Sequence, residues 1–199
     1  MPCEAILNTY YNIGGFNNPS RIGFMMKLIR TLRPLTLSEW KLWYLSNVHD
    51  DFYISKLAVE MCNIIPAQYN ITILDCKNYI YDVMFRRTFN GFNKEKEALD
   101  LLKSLLSPNI QEAPENWDTI YFIDFYLQNR NQDIIGIQLK PVSFYLGHYN
   151  KIIDINGKLN KFRSDMRASA FILIYEINDT DNSIIIKNPE VINEIKDLL

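Results

Sequence analysis

The hydrophobic pattern of this chain changes close to Ser107-Pro108, and that change restricts the folds that the chain can adopt, with a short helix after Asn188-Pro189-Glu190 predicted at the end. Before this point apolar residues recur at helical spacing, as in 20–32 and 97–106. After it they form short runs that predict strands. These runs lie at 119–127, 134–140, 170–177 and 183–187. Helices followed by mostly antiparallel strands predict an α+β fold.

The domain organisation follows from the same pattern. The 199 residues contain no internal repeat, no low-complexity run and no long linker. We therefore expect one domain, 1–199, made of a mainly helical part, 1–90, and a helix-plus-sheet core, 91–199. Within the helical part, 1–19 is expected to be irregular, because breaker clusters such as Gly14-Gly15 interrupt it.

Charge and cysteine usage exclude several classes of protein. The net charge is −2 and the pI about 5.7, so any affinity for DNA must come from local basic patches and bound metal. Cys3, Cys62 and Cys76 have no CxxC spacing, which argues against a disulfide framework or a structural zinc. No apolar stretch could cross a bilayer and the N-terminus does not look like a signal peptide, so we expect a cytoplasmic protein without a membrane partner.

A short motif in the strand region carries the candidate chemistry. On a strand Gln138 and Lys140 project from one face, and a hairpin turn through 128–132 would bring Asp124 beside them. An acid, an amide oxygen and a lysine suit a metal-dependent phosphodiesterase, in which the carboxylate holds Mg²⁺ and the ammonium orients water. The three residues form a variant of the D…(D/E)xK nuclease signature, with Gln138 at the acid position. The alternative is an ordinary hairpin with a solvated face.

A further acid could come from the helix that precedes the strands. Glu97 stands directly before the apolar pattern that begins with Ala98-Leu99, so it is a candidate to point at the metal, and Glu95 is its nearby rival. The alternative is a solvated glutamate in a first helical turn, where the helix dipole favours a negative charge.

Two basic segments are candidates for contacts with nucleic acid. One is helical and contains Arg30. The other runs through 151–167, and its polar composition with an Asn156-Gly157 turn predicts a loop after the hairpin. The candidate phosphate contacts in and near it are Lys158, Lys161, Arg163, Arg167 and His148. A solvated surface is the alternative interpretation of the second segment.

Three segments resemble the MjaI-like type II restriction endonucleases, and they occur in the order found in that family. The first is the tryptophan helix at 36–45, and the second joins Phe89-Asn90-Gly91 to the helix with Glu97-Ala98-Leu99. The third comprises Ala113-Pro114-Glu115, Ile123-Asp124-Phe125 and the strand at 137–141.

The resemblance implies a PD-(D/E)xK nuclease core, with a mixed or antiparallel sheet flanked by helices, that cleaves double-stranded DNA with Mg²⁺. Family members are associated with the short palindrome CTAG. By this resemblance Asp124 is the metal-binding acid, Lys140 is the motif lysine and Glu97 is the acid from the helix. A palindromic target favours a homodimer that presents two equivalent sites.

Gln138 is the point at which this chain departs from the nuclease signature. Its amide offers only a neutral oxygen to Mg²⁺, which prefers carboxylate charge, so another acid, first of all Glu97, should compensate. We expect Asp124, the Leu139 backbone carbonyl and either Glu97 or Gln138 to hold the metal, while Lys140 positions the attacking water. Two other interpretations stay open: a non-catalytic DNA-binding module that kept the core, and a structure-specific repair nuclease.

Overall fold

The chain divides into two structural units, and their boundary lies before the change of hydrophobic period. The computed structural model describes residues 4–142, 149–178, 180–181 and 183–199. Contacts along the chain group into one unit, Met1–Asn93, and a second, Lys94–Leu199. This boundary lies close to the predicted division between a helical part, 1–90, and a core, 91–199. Whether the two units act as one domain stays a prediction.

The first unit is helical and has a core of its own. Its helices are α1 (Glu4–Ile13), α2 (Pro19–Ile22), α3 (Met25–Leu32), α4 (Leu37–Asn47), α5 (Asp51–Ile64) and α6 (Ile73–Tyr81), with a 3-10 turn at Ala67–Tyr69 and a π-helical turn at Asp82–Arg87. Trp40 and Tyr44 of α4 are fully buried. The Trp40 Nε1–H donates to the Met84 carbonyl at 3.2 Å and the Tyr44 hydroxyl to the Ile22 carbonyl at 2.8 Å. The tryptophan helix is therefore a packing element of this unit.

The prediction that 1–19 is irregular is wrong. Leu7 and Tyr11 of α1 stand four residues apart on one helical face, and both are buried in the core of the first unit. The breaker residues Gly14 and Gly15 follow this helix and do not interrupt it. In contrast, the single helix predicted at 20–32 is divided in two, because Gly23 adopts a positive φ of 77° between α2 and α3.

The second unit is built on a five-stranded mixed sheet. Its strands are β1 (Gln111–Glu112), β2 (Phe125–Gln128), β3 (Ile134–Pro141), β4 (Ser169–Ile177) and β5 (Ile184–Ile186), and they lie in the order of the sequence. β3 and β4 pair parallel, whereas all other neighbours pair antiparallel. The helices of this part are α7 (Thr88–Leu105), which begins before the boundary, α8 (Glu115–Tyr121), α9 (Tyr149–Met166) and α10 (Pro189–Asp197). The predicted α+β class with a mixed sheet is confirmed.

Alternation along the strands separates two apolar clusters in this unit. Ile135, Ile137 and Leu173 pack in one cluster with residues of α7 and α10. Ala170 and Ile172 pack in the other with residues of α8 and α9. Because successive strand residues point to opposite faces, Gln138 and Lys140 belong to the face that α8 and α9 cover.

The loop predicted through 151–167 is in fact helix α9. Ile155, Leu159 and Phe162 stand at i, i+4 and i+7 and are buried against the sheet, which is the helical pattern that the polar residues between them obscured. A parallel pair such as β3 and β4 also needs a long crossover, and a helix is the usual one. The Asn156-Gly157 pair lies within α9 and does not form a turn.

The strand predicted at 119–127 is shorter than expected. Its first residues belong to α8, which ends at Tyr121, and β2 begins only at Phe125. Between them Phe122 adopts the left-handed conformation (φ 55°) and its N–H donates to the Asp118 carbonyl at 3.0 Å. A non-glycine residue rarely adopts this conformation, and sequence periodicity gives no sign of it.

Two glycines of the second unit offer a matched test of this packing. A Cβ at Gly136 in β3 would lie 2.7 Å from Phe162 and 2.8 Å from Ile123, whereas a Cβ at Gly157 in α9 would meet no heavy atom of the described chain within 4 Å. We expect Gly136→Ala to lower the free energy of unfolding by about 1–3 kcal/mol through overpacking. Gly157→Ala should raise it by about 0.5–1 kcal/mol, because alanine favours the helix. Urea unfolding followed by circular dichroism measures both, and equal effects would contradict the described packing.

Candidate active site

Asp124 lies where the β2–β3 hairpin meets the segment that follows α8. The pairing of Phe125 with Ile137 continues by one residue, since the Asp124 N–H donates to the Ile137 carbonyl at 3.0 Å. The Asp124 carbonyl in turn accepts from the Ala113 N–H at 2.8 Å. The predicted hairpin is therefore present, and it brings Asp124 opposite Gln138.

The Asp124 carboxylate accepts hydrogen bonds from donors of the facing strand. Its Oδ2 accepts from the Leu139 N–H at 2.9 Å and from Nε2 of Gln138 in a short hydrogen bond. Burial raises the pKa of Asp124 to about 7, against the opposing effects of Lys140 and the Leu139 N–H. The negative charges of Asp118 and Glu95 also raise this pKa, so they too lie within electrostatic reach.

Gln138 occupies the centre of this cluster. It is the buried polar residue of the described core, with 0% of its surface exposed. Its Nε2 donates to Asp124 and also to the Leu139 carbonyl at 3.3 Å. Its Oε1 is buried without a hydrogen-bond partner among the residues that the structure describes. An orphaned buried acceptor of this kind is rare in native proteins and calls for a functional explanation.

Lys140 and Lys158 both place their ammonium groups near the ring of Phe122. The Lys140 Nζ lies 5.7 Å from the ring centroid and the Lys158 Nζ lies 3.7 Å from it, so both ammonium groups are within the range of a cation–π interaction. The Lys158 Nζ also donates to the Thr119 carbonyl at 3.3 Å. Two positive charges from β3 and α9 are therefore gathered beside the segment that carries Asp124.

The structure separates the two glutamates proposed from sequence. Glu97 is exposed and forms an ion pair with Lys94 at 2.6 Å. Glu95 stands three and seven residues before Ala98 and Leu102, the buried positions of α7, so it shares their helical face. Its charge acts on both Asp124 and Tyr175, whose pKa values are raised mainly by burial and further by nearby acids. The helix acid within reach of the site is thus Glu95, the rival candidate.

The spacing of the α7 glutamates could have identified Glu95 from the sequence. Counting back from the apolar residues by three and four places Glu95 on the packed face, whereas Glu97 falls on the opposite face. Asp118 was not among the predicted site residues. Asp118 lies in α8, and the sequence pattern predicts a strand at 119–127 and no helix there, so it gives no reason to select this residue.

The remaining basic candidates lie at several places. Lys161 is exposed with its Nζ 5.8 Å from the Tyr121 ring centroid, and Arg167 is exposed with a positive φ of 50°. Arg163 is used within the fold, since it donates to Asn160 Oδ1 at 2.7 Å and to the Ala170 carbonyl at 2.5 Å. Arg30 belongs to α3 in the first unit, and His148 lies outside the described residues.

Comparison with protein families gives a match across nearly the whole chain. The model of the family described as MjaI restriction endonuclease matches residues 4–196. The chain belongs to the MjaI restriction endonuclease family. Comparisons with curated proteins and with solved structures gave no match.

Membership in the MjaI family identifies the class of reaction that the protein catalyses. The chain is a type II restriction enzyme, a site-specific deoxyribonuclease that binds DNA. None of the helices in the described ranges combines the length and the hydropathy that crossing a membrane requires.

Restriction endonucleases generally use a divalent metal, and the oxygen atoms of the candidate site fit one. Within the described ranges no three His, Cys, Asp or Glu side chains are grouped so that they could hold a metal by themselves. Nε2 of Gln138 nevertheless donates to both the Asp124 carboxylate and the Leu139 carbonyl. Oε1 of the same side chain has no hydrogen-bond partner among the described residues. A carboxylate, a backbone carbonyl and an amide oxygen are the ligand types that hard cations prefer.

The two glutamates of α7 provide a matched test of the site's electrostatics. Glu95→Gln should lower the pKa of Asp124, because removing a nearby negative charge favours the ionised carboxylate. Glu97→Gln should leave this pKa unchanged, since Glu97 is exposed and paired with Lys94. Carbon-13 NMR of the aspartate carboxyl groups across a pH titration measures the shift. A larger shift in Glu97→Gln than in Glu95→Gln would show that the helix faces are assigned incorrectly.

Proposed function

We propose that this restriction endonuclease hydrolyses double-stranded DNA with Mg²⁺ at a PD-(D/E)xK-type site formed by Asp124, Gln138 and Lys140. The observation that carries the proposal is the hydrogen bond to Asp124 from Gln138, which lies on the strand that also bears Lys140. In a chain of this family, an acid, an amide and a lysine gathered in that way support phosphodiester hydrolysis.

Three oxygen-bearing groups of this site are suited to bind a cation. We assign the cation to the Asp124 carboxylate, the Leu139 carbonyl and the Gln138 amide oxygen, with Glu95 in place of Glu97 as the helper acid. Mg²⁺ bound there would supply a Lewis acid that offsets the charge developing on the scissile phosphate. Glu95 adds negative charge near the site, which partly compensates for the neutral amide.

The two lysines act on the phosphate and on the water. Lys140 orients the attacking water and stabilises the negative charge that develops in the transition state. Its ammonium group lies 5.7 Å from the centroid of the Phe122 ring, and Lys158, near the same ring, adds a second positive charge for the DNA backbone. Lys161 and Arg167 are exposed in and after α9, where they suit contacts with neighbouring phosphates.

The proposed target is the palindrome CTAG, and the proposed assembly is a homodimer. The target rests on the resemblance to the MjaI-like enzymes, whose members are associated with that sequence. A palindrome presents the same bases on both strands, so a two-fold symmetric pair of subunits can cut both strands with equivalent sites. The proposed location is the cytoplasm, where a restriction enzyme meets DNA.

Removal of either charged group of the motif should abolish cleavage. Lys140→Ala and Asp124→Asn should each lower the cleavage rate by at least about a thousandfold, because each removes transition-state stabilisation. Lys140→Ala should still bind DNA. Lys103→Ala, at an exposed position of α7, is the matched control and should cut normally. The measurement is digestion of a plasmid with MgCl₂, and with EDTA as a second control, followed by sequencing of the ends.

The outcome of the wild-type digest separates the alternative functions. Discrete fragments whose ends fall in CTAG support the proposal. A gel shift without cleavage would indicate a non-catalytic DNA-binding module, and nicks or branch cuts without a fixed sequence would indicate a structure-specific repair nuclease. Normal cleavage by Lys140→Ala would contradict the assigned site.

The two lysines of α9 should differ in their kinetic effects. Lys158→Met should lower kcat by roughly tenfold or more, because its ammonium shares the Phe122 ring with Lys140 and its loss disturbs the reacting groups. Lys161→Met should instead weaken DNA binding and reduce the salt slope of affinity by about one, as expected for one lost phosphate contact. Single-turnover cleavage at saturating enzyme, beside binding at several salt concentrations, distinguishes the two. An unchanged kcat in Lys158→Met would contradict the placement of Lys158 at the site.

A further inference from the structure

The amide nitrogen of Gln138 lies between two oxygen atoms that the proposed function assigns to the cation. Nε2 donates to the Asp124 carboxylate and, at 3.3 Å, to the Leu139 carbonyl. The side chain is fully buried, and Oε1 has no hydrogen-bond partner in the described part of the chain. The NH₂ end of the amide therefore donates to two acceptors, whereas its oxygen end accepts no hydrogen bond from the described residues.

The charges around the amide determine its orientation. A carboxylate and a carbonyl oxygen both accept hydrogen bonds, so an NH₂ group suits the position between them. An amide oxygen in the same place would meet two other electron-rich atoms. The preference reverses when a cation is present, since a hard cation attracts the oxygen end and repels the NH₂ end. The favoured orientation thus depends on whether positive charge is bound there.

We propose that the Gln138 amide turns its NH₂ end toward the cation position in the metal-free protein and rotates about its last side-chain bond, to present its oxygen end, when the cation binds. This inference rests on the proposed function. Before binding, Nε2 keeps the Asp124 carboxylate and the Leu139 carbonyl directed at one point. After rotation, Oε1 becomes a ligand, and Nε2 takes the buried position that Oε1 held before. The two ends of an amide are nearly equal in size, so the surrounding core need not move.

This exchange gives a reason for glutamine at a position where a carboxylate would bind a cation more tightly. An ionised glutamate at 138 could not donate to Asp124, and it would place two negative charges side by side when the cation is absent. Glutamine gives the metal-free site a neutral, hydrogen-bonded state. The expected consequence is weaker cation binding and a more stable metal-free protein.

An NMR titration of the full chain with MgCl₂ tests the rotation directly, with choline chloride at equal ionic strength as the control. The backbone amide of Leu139 donates to Asp124 Oδ2 and reports the arrival of the cation. The side-chain NH₂ signals of Gln138, assigned by their absence in Gln138→Met, report the orientation of the amide. We expect both to shift along one saturation curve, with the Gln138 protons losing the signature of a carboxylate acceptor.

The two signals separate failure of the rotation from failure of the proposed cation site. A Leu139 signal that responds to Mg²⁺ while the Gln138 signals stay fixed would overturn the rotation and leave the cation site standing. If neither signal responds although MgCl₂ supports cleavage, the cation binds elsewhere, and both the rotation and the assigned ligands are wrong.

Two substitutions of Gln138 provide an independent readout by thermal unfolding. Gln138→Glu should have a lower Tm than wild type in EDTA, a larger rise in Tm with MgCl₂, and half-saturation at an about tenfold lower concentration. Gln138→Met is similar in volume but offers no donor and no oxygen, so its Tm should not respond to MgCl₂. A Gln138→Glu protein with the wild-type Tm in EDTA would contradict the proposed role of Nε2.

Discussion

The register of the β2–β3 hairpin is the constraint on which the candidate site depends. It sets Asp124 opposite Gln138, and a shift of one residue would turn Gln138 and Lys140 to the other face of the sheet. The buried residues Ile135 and Ile137 oppose such a shift, because they pack in the cluster with α7 and α10. The alternation that fills the core on one face therefore also places the polar motif on the other.

The candidate site brings acidic groups close together, and the repulsion between their charges would be relieved by a bound cation. Burial raises the pKa of Asp124 to about 7, so between its ordinary value and that value the folded protein holds a proton that the unfolded chain releases. Stability contributed by this group is thus present at low pH and is lost as the pH rises through that interval. The unsatisfied Oε1 of Gln138 adds a cost of about 1–3 kcal/mol. The raised pKa of Asp124 and the unsatisfied oxygen of Gln138 are both expected of a site whose most favourable state contains a bound cation.

The sequence correctly predicts the parts of the structure that depend on a local hydrophobic pattern. It fails where polar residues or an incorrectly predicted element obscure that pattern. The hairpin, its alternation and the α+β order follow from strand periodicity and from the short turn. Helix α9 was predicted as a loop because only Ile155, Leu159 and Phe162 mark its packed face among many polar residues. The positive φ of Phe122 has no sequence signal at all, although it ends α8 and directs the chain into the residues before Asp124. The choice between Glu95 and Glu97 needed only the helical period, applied from the buried residues backwards.

The site lies at the end of the parallel pair β3–β4, where groups from both faces of the sheet can approach one another. Glu95 comes from α7, on the face packed with α10, whereas Asp118 and Lys158 come from α8 and α9 on the opposite face. In open α/β sheets, ligands usually bind outside the carboxyl ends of the strands. The charges of Lys140, Asp118 and Glu95 all act on Asp124, and Lys140 and Lys158 both lie near the ring of Phe122. This arrangement suits the proposed reaction, because it places acids for a cation and an ammonium group for the phosphate in one site.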